Sequence, residues 1–149
     1  MKCRNDMLNH GVNIVTAECE GVRGGLAVAW ATQVATDRVL ICVGSQSATR
    51  ELILKSGSFG LCTLRRDQID VARAFGRRSG RDVEKFQGFP YHTAVTGSPL
   101  LDDCGICLDC QVEHVFDQKT GNRLFVGKVV YAERLTENYE PLIYREEEY

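Results

Sequence analysis

Three cysteines, Cys104, Cys107 and Cys110, stand three residues apart in "DDCGICLDC". Closely spaced thiolates hold iron–sulfur clusters and structural zinc, but both normally take four ligands from turns on which the sulfurs converge. No fourth ligand is close in sequence, and the segment runs on into "LDCQVEHV", which alternates as a strand does. Residues three apart in a strand face opposite sides of the sheet, so Cys107 and Cys110 are expected to point apart. Cys110 then shares a face with Ile106, Leu108 and Val112 as a small core residue. The triplet reads as buried thiols, and no metal site is expected.

Three other stretches carry residue types suited to binding. In "GSQSATREL", Ser45, Ser47 and Thr49 precede or open a helix, with Arg50 just inside it. The free N–H groups and partial positive charge of a helix N-terminus suit a phosphate. Simple N-capping by Ser47 explains the same residues more plainly. Around "FGRRSGRDVEKF", between Arg73 and Lys85, lie Arg73, Arg77, Arg78, Arg81 and Lys85, set against Asp82 and Glu84. Such a Gly-rich basic loop can clamp an anion, or can be a solvated charged loop. In "GGLAVAWATQVA", Ala27, Ala29 and Ala31 alternate with Leu26, Val28 and Trp30. A face of alanines lets a packed helix, a sheet or a flat cofactor approach the backbone. His10, His92 and His114 form no convincing triad with a cysteine and an acid, which argues against nucleophilic catalysis.

The elements that must position these residues are short. "GVNIVTAEC" and "GLAVAWATQVA" read as strands joined by a polar turn, "EGVRGG". "RVLICVG" is a continuous apolar run, as expected of a strand buried on both faces. "SATRELILKSG" reads as a helix stopped by Gly57, "SFGLCTL" as a strand, and "DQIDVARAFG" as a second helix with Ile69, Ala72 and Phe75 at helical spacing. "GICLDCQVEHVF" and "NRLFVGKVVYAERL" form two long strands around a hairpin loop, and "PLIYR" a last short strand. Six or more strands with two short helices do not alternate as a parallel α/β fold would; an antiparallel barrel fits better.

At 149 residues, 44% hydrophobic, 26% charged and with a formal charge of −2, the chain fits one domain over residues 1–149 without a net basic footprint. No nucleic-acid partner is expected, because no aromatic residue interleaves the arginines. No apolar run approaches membrane-span length, so no membrane association is expected. The start, "MKCRNDMLNHG", has no apolar core of an export signal, and seven scattered cysteines fit reduced thiols, so a cytoplasmic location is expected.

Taken in order, "GGLAVAWATQVA", "GSQSATRELI", "ARAFGRRSGRDVEKF", "TGSPLLDD", "CQV" and "LFVGKVV" resemble the flavin reductase-like, FMN-binding split-barrel family over nearly the whole chain. The resemblance implies a mostly β fold, a six-stranded antiparallel Greek-key split barrel with a few short helices, usually a homodimer with flavin beside the subunit interface. It implies that FMN, or FAD in its place, sets its phosphate against Ser47 and Thr49, with Gln46 close by. The ring and ribityl chain would lie along the backbone of Ala27, Val28, Ala29, Trp30 and Ala31. Arg78, Ser79 and Gly80 would hold the ribityl-phosphate end, and Lys85 would support that loop. NAD(P)H would be the reductant, and free flavin, a monooxygenase, ferric chelate or an iron–sulfur protein the acceptor.

Two departures stand out. Ala27 and Ala29 replace hydroxyl residues common in the family, a loss of about 1 kcal/mol of contact each. Asn122 stands where NAD(P)H-using members carry a His. The resemblance therefore implies a flavin-dependent NAD(P)H oxidoreductase, with a flavoredoxin-like electron carrier reduced by a protein partner as the alternative.

Overall fold

The computed structural model describes residues 1–76 and 84–148. The chain opens its regular structure with a tight hairpin, β1 (Asn13–Cys19) and β2 (Val22–Val28). The turn is only Glu20 and Gly21, both at positive φ (52° and 81°), as a two-residue hairpin turn demands. The six-residue turn expected from "EGVRGG" is thus corrected: Val22 to Gly25 belong to the strand, in register with Gly24 opposite Ala17 and Gly25 opposite Thr16. Glycines read as turn residues are strand residues because two helices press on them. A Cβ on Gly24 would meet Thr49 Oγ1 at 2.8 Å, and one on Gly25 the Phe75 ring at 2.8 Å.

The expected single strand "GLAVAWATQVA" is also corrected. It breaks after Val28, Ala31 N–H donates to Ala29 O at 3.1 Å, and β3 (Ala31–Ala35) starts on the far side of the bend. The three alanines therefore do not share one strand face. β3 pairs with β4 (Arg38–Val43). β4 alternates half-buried and buried residues, with Val39, Ile41 and Val43 inward, so it is buried mainly on one face and not on both.

α1 (Ala48–Ser56) follows, capped as its sequence indicates. Ser47 Oγ accepts from Arg50 N–H at 3.3 Å. Gly57, at φ 73°, donates back to Ile53 O, the left-handed stop that glycine adopts without strain. Then come β5 (Ser58–Thr63) and α2 (Ile69–Gly76), the latter burying Ala72 and Phe75. A small hairpin, β6 (Tyr91–His92) with β7 (Leu100–Leu101), leads to the long pair β8 (Ile106–Asp117) and β9 (Arg123–Arg134). "PLIYR" forms no ladder; it makes isolated bridges, Gly11 to Ile143 and Arg65 to Pro141.

The antiparallel sheet has seven strands in the order β2-β1-β5-β8-β9-β4-β3. Its two edge strands, β2 and β3, are consecutive in the chain and separated only by Ala29 and Trp30. A sheet whose opposite edges are joined by so short a link must be rolled round. No ladder joins β2 to β3 among the described residues, so the roll is open along one seam. The mostly β, antiparallel architecture expected from the sequence is present, in a sheet of seven strands that is not closed among the described residues.

Both faces of the central strands are covered. Ile14, Cys62, Leu64, Phe75, Leu100, Cys104 and Cys107 form one cluster. Val15, Ile41, Ile53, Phe59, Cys110 and Phe125 form the other. α2 and the β6–β7 hairpin supply the first layer and α1 joins the second. Each buried Phe or Ile contributes roughly 1.5–3 kcal/mol of transfer free energy. Cys107 and Cys110 fall in different clusters, as the strand alternation implies.

Candidate functional site at the open seam

The seam is where the fold leaves backbone exposed. An edge strand has a row of N–H and C=O groups with no ladder partner, and here two such edges meet at Ala29 and Trp30. Two clefts flank the meeting point and share Ala27, Val28, Ala29 and Tyr144. One, of about 150 Å³, is completed by Val12 and by Ala72, Arg73 and Gly76 of α2. The other, of about 230 Å³, adds Asn5, Leu26, Trp30, Cys42 and Gly44. The walls are small and apolar near β2, which leaves room for a flat group against the backbone.

Ala27, Val28 and Ala29 thus line both clefts of this groove region, Trp30 lines the second, and Ala31 opens the strand beyond. Trp30 keeps 39% of its surface exposed, and its indole N–H donates to Asn5 O at 3.2 Å. That bond holds the N-terminal segment over the seam. The same segment is tied to the C-terminal one: Tyr144 N–H donates to His10 O at 2.8 Å, and Arg4 bridges Asp6 and Glu147 at 2.8 Å each. Hydrogen bonds from Arg4 and from the Glu146 N–H hold the Asp6 carboxyl at about 2.

The groove runs toward the start of α1. Gly44 lines it, and the exposed Gln46 and the half-buried Ser47 follow directly. The β8–β9 loop closes this end: Arg50 Nη1 donates to Gly121 O at 2.8 Å, and a Cβ on Gly44 would lie 3.7 Å from Asn122 Oδ1. Arg123 is engaged elsewhere, in an ion pair with Asp117. Thr49 is placed differently from Ser47. It is 3% exposed, and its Oγ1 faces Gly24 of β2.

Lys85 lies off the groove and fastens its wall. Its Nζ donates to Gly25 O at 3.0 Å and to Phe75 O at 2.7 Å, joining β2 to the end of α2. Burial lowers its pKa. Arg78, Ser79 and Gly80 lie outside the described residues.

Arg73, already singled out in the basic stretch, lines one of the clefts, whereas Tyr144, Val12, Asn5 and Cys42 line them as well and were missed by sequence reasoning. These four come from segments distant in the chain, and no local motif marks them. Asp109 was missed too. It is fully buried and accepts from Val95 N–H and Thr96 N–H at 2.8 Å each, which explains the "TGSP" loop as a structure built around a carboxylate.

One grouping of a histidine, a cysteine and an acid escaped sequence reasoning, but it makes no hydrogen-bonded triad, because His92 Nε2 has no hydrogen-bond partner among the described residues. His92, Cys107 and Glu133 bring their polar atoms within 4.8 Å of one another. Burial, first of all, and the nearby Cys104 and Glu133 push the Cys107 thiol up to about 12. A protonated thiol is a poor nucleophile, which also argues against nucleophilic catalysis. His114 stacks on Phe116 with ring centroids 5.9 Å apart.

This geometry can be set beside known proteins. The chain is 31% identical over 117 residues to the FMN reductase (NADH) RutF of Pseudomonas syringae pv. syringae, covering 76% of this chain and 65% of that protein. With FMN reductase (NADH) RutF 2 of Rhizobium rhizogenes the identity is 32% over 145 residues, covering 95% and 82%. Among solved structures, a homologue of nitrilotriacetate monooxygenase component B from Mycobacterium thermoresistibile superposes with a TM-score of 0.83 at 29% identity, covering 92% of this chain and 76% of that one. The chain thus spans just under two thirds of the Pseudomonas protein and over three quarters of the other two. The model of the flavin reductase like domain matches residues 5–149, and with that span the chain belongs to the flavin reductase-like family.

Proposed function

We propose that the chain is an NAD(P)H:flavin oxidoreductase that binds FMN, or FAD in its place, along the open seam. The observation that carries this reading is the seam itself: two unpaired strand edges beside small apolar walls, leading to a capped helix N-terminus. The relatives' names point the same way, since two are FMN reductases (NADH). When bound, flavin would supply the hydride-accepting chemistry, with free flavin or a partner as the electron acceptor. The monooxygenase component among the similar structures favours an oxygenase as that partner.

The residues divide the work. The backbone from Ala27 to Ala31 fits the polar edge and face of a flat ring. Ala27, Val28 and Val12 exclude water from it. Gln46, Ser47 and the first N–H groups of α1 fit a phosphate, with Arg50 adding charge from beside the β8–β9 loop. Thr49 enters this reading only through its backbone, because its hydroxyl is turned to β2. Lys85 positions the groove wall, and Arg78, Ser79 and Gly80 remain assigned to the ribityl-phosphate end on the resemblance alone.

The rolled sheet is, in this reading, the six-stranded Greek-key split barrel with its flavin strand divided in two, one domain over residues 1–149. A homodimer is part of this reading, with exposed Trp30, Val34, Val115 and Phe116 as apolar surface that a partner copy would cover. Among the described residues no helix is long and apolar enough to cross a membrane. Free cysteines at all seven positions favour a reducing compartment, the cytoplasm.

Ser47→Ala tests the phosphate assignment. It is expected to weaken FMN about tenfold and riboflavin little, while lowering stability by about 1 kcal/mol through the lost cap. Equal losses for both ligands would contradict it. Stopped-flow mixing of the FMN complex with NADH and NADPH tests the activity. Loss of the oxidised flavin band within seconds is expected. If the band persists, the Asn122 substitution decides for the electron carrier reduced by a protein partner.

A further inference from the structure

Away from the seam, one group of side chains is arranged for a ligand that flavin chemistry does not use. His92 comes from β6, Cys107 from β8 and Glu133 from β9, and one polar atom of each lies within 4.8 Å of the others. Cys107 and Glu133 are direct cross-strand partners. Tyr91, next to His92, packs on the core cluster that contains Cys107.

His92 Nε2 is closed off from solvent and has no hydrogen-bond partner among the described residues. It stands 3.5 Å from Glu133 Oε1, too far for a well-formed hydrogen bond. A buried imidazole nitrogen left this way is a cost unless something occupies the gap. The other ring nitrogen, Nδ1, is 2.6 Å from Asp102 Oδ1. That contact engages Nδ1, so Nε2 is the ring nitrogen left turned toward Glu133. Glu133 is oriented as well: Tyr131 donates to its Oε1 at 3.1 Å. Ligating histidines and carboxylates are normally held by such outer partners.

We propose that His92 Nε2, Cys107 Sγ and the Glu133 carboxylate form a binding site for a divalent cation of borderline softness, zinc before others, with a fourth position for water. One nitrogen, one sulfur and one oxygen suit zinc, whereas magnesium and calcium prefer oxygen alone. Ligand atoms around tetrahedral zinc stand roughly 3.3–3.8 Å apart, so the set needs to close by about 1 Å. His92 and Glu133, whose side chains are 34% and 41% exposed, can make that movement by rotation. On binding, the Cys107 thiol gives its proton to solvent, sulfur bonds to the cation, and the cation sheds water; no oxidation state changes. The ion then clips β6 to the β8–β9 pair. It thereby fixes the hairpin reached directly from the Lys85–Phe86 segment that fastens β2 and α2.

Cobalt(II) is the probe, added to the full chain with Cys3, Cys19 and Cys42 changed to serine so that the less buried thiols are gone. A sulfur-to-cobalt charge-transfer band with tetrahedral visible absorption is expected, saturating at a single equivalent and displaced by zinc. His92→Ala and Glu133→Gln, both at half-exposed positions, are each expected to weaken cobalt by about tenfold or more. Cys107→Ser should abolish the charge-transfer band; because it sits in the core, the decision rests on the other two variants, with circular dichroism confirming their fold. Absence of the band in the parent chain overturns the site. So does a band that His92→Ala and Glu133→Gln leave unchanged.

Discussion

Gly25→Ala asks why the second strand is built from small residues. A Cβ at that position would stand 2.8 Å from Phe75 Cε1, 2.9 Å from Phe75 Cδ1 and 3.5 Å from Phe86 Cζ. Comfortable carbon contacts begin near 3.5 Å, so the ring must retreat by about 0.7 Å. It has little room to do so. Phe75 is fully buried, with Phe86 edge-on at 5.2 Å and Phe89 at 5.6 Å between centroids. Overpacking of this kind costs about 1–3 kcal/mol. Against it stands the roughly 0.4–1 kcal/mol that alanine gains over glycine by restricting the unfolded chain. At the middle of both ranges the net expectation is a loss of about 1.3 kcal/mol, read as a lower urea midpoint at unchanged slope.

A second readout follows from position. Arg73 and Gly76 line the seam cleft and move with α2, so FMN affinity should fall together with stability. Phe75→Leu in the same chain should relieve the clash. The double variant is then expected to be more stable than the sum of the two single losses by at least about 0.5 kcal/mol. A neutral or stabilised Gly25→Ala protein would refute the idea that α2 dictates glycine here.

Other outcomes follow from the same geometry. Lys85→Met removes both bonds to the Gly25 and Phe75 carbonyls and is expected to cost about 1–3 kcal/mol in urea unfolding, with weaker FMN binding in the same samples. An aromatic disulfide reagent at neutral pH should modify at most Cys3, Cys19 and Cys42, since Cys62, Cys104, Cys107 and Cys110 are buried; the remainder should react only in denaturant. Stability should fall as pH rises above about 9. Burial first of all holds Cys107 and Cys110 near 12, against 9.0 for a free thiol. The folded protein therefore keeps protons that the unfolded chain has lost, and each such thiol contributes a slope of about −1.4 kcal/mol per pH unit. Asp6 works in the opposite sense. Its carboxyl, near 2 against 3.8 when free, supports the terminal clasp above pH 4, and the protection factor of the Glu146 amide against hydrogen exchange should drop as pH falls through that interval.

Elements with local chemical signals were legible before any coordinates. α1 is marked by Ser47 and Gly57, and its observed span, Ala48–Ser56, lies between them. The long β8–β9 pair and the separation of Cys107 from Cys110 follow from alternation. What failed was the reading of glycine and alanine. Gly24 and Gly25 looked like a turn, and "GLAVAWATQVA" looked like one strand, because smallness has the same appearance in a turn, under a helix and against a cofactor.

By itself, then, the sequence determined the kinds of element and their order, since capping, turn and alternation signals act over a few residues. It also carried the Ser47 cap and Gly57 stop that bound α1. Only the tertiary structure decided that the Ala29–Trp30 link joins opposite edges of one rolled sheet, that Thr49 turns inward while Ser47 does not, and that His92, Cys107 and Glu133 meet. Those outcomes depend on which surfaces bury each other across long stretches of chain, and no local pattern of residue types encodes such a choice.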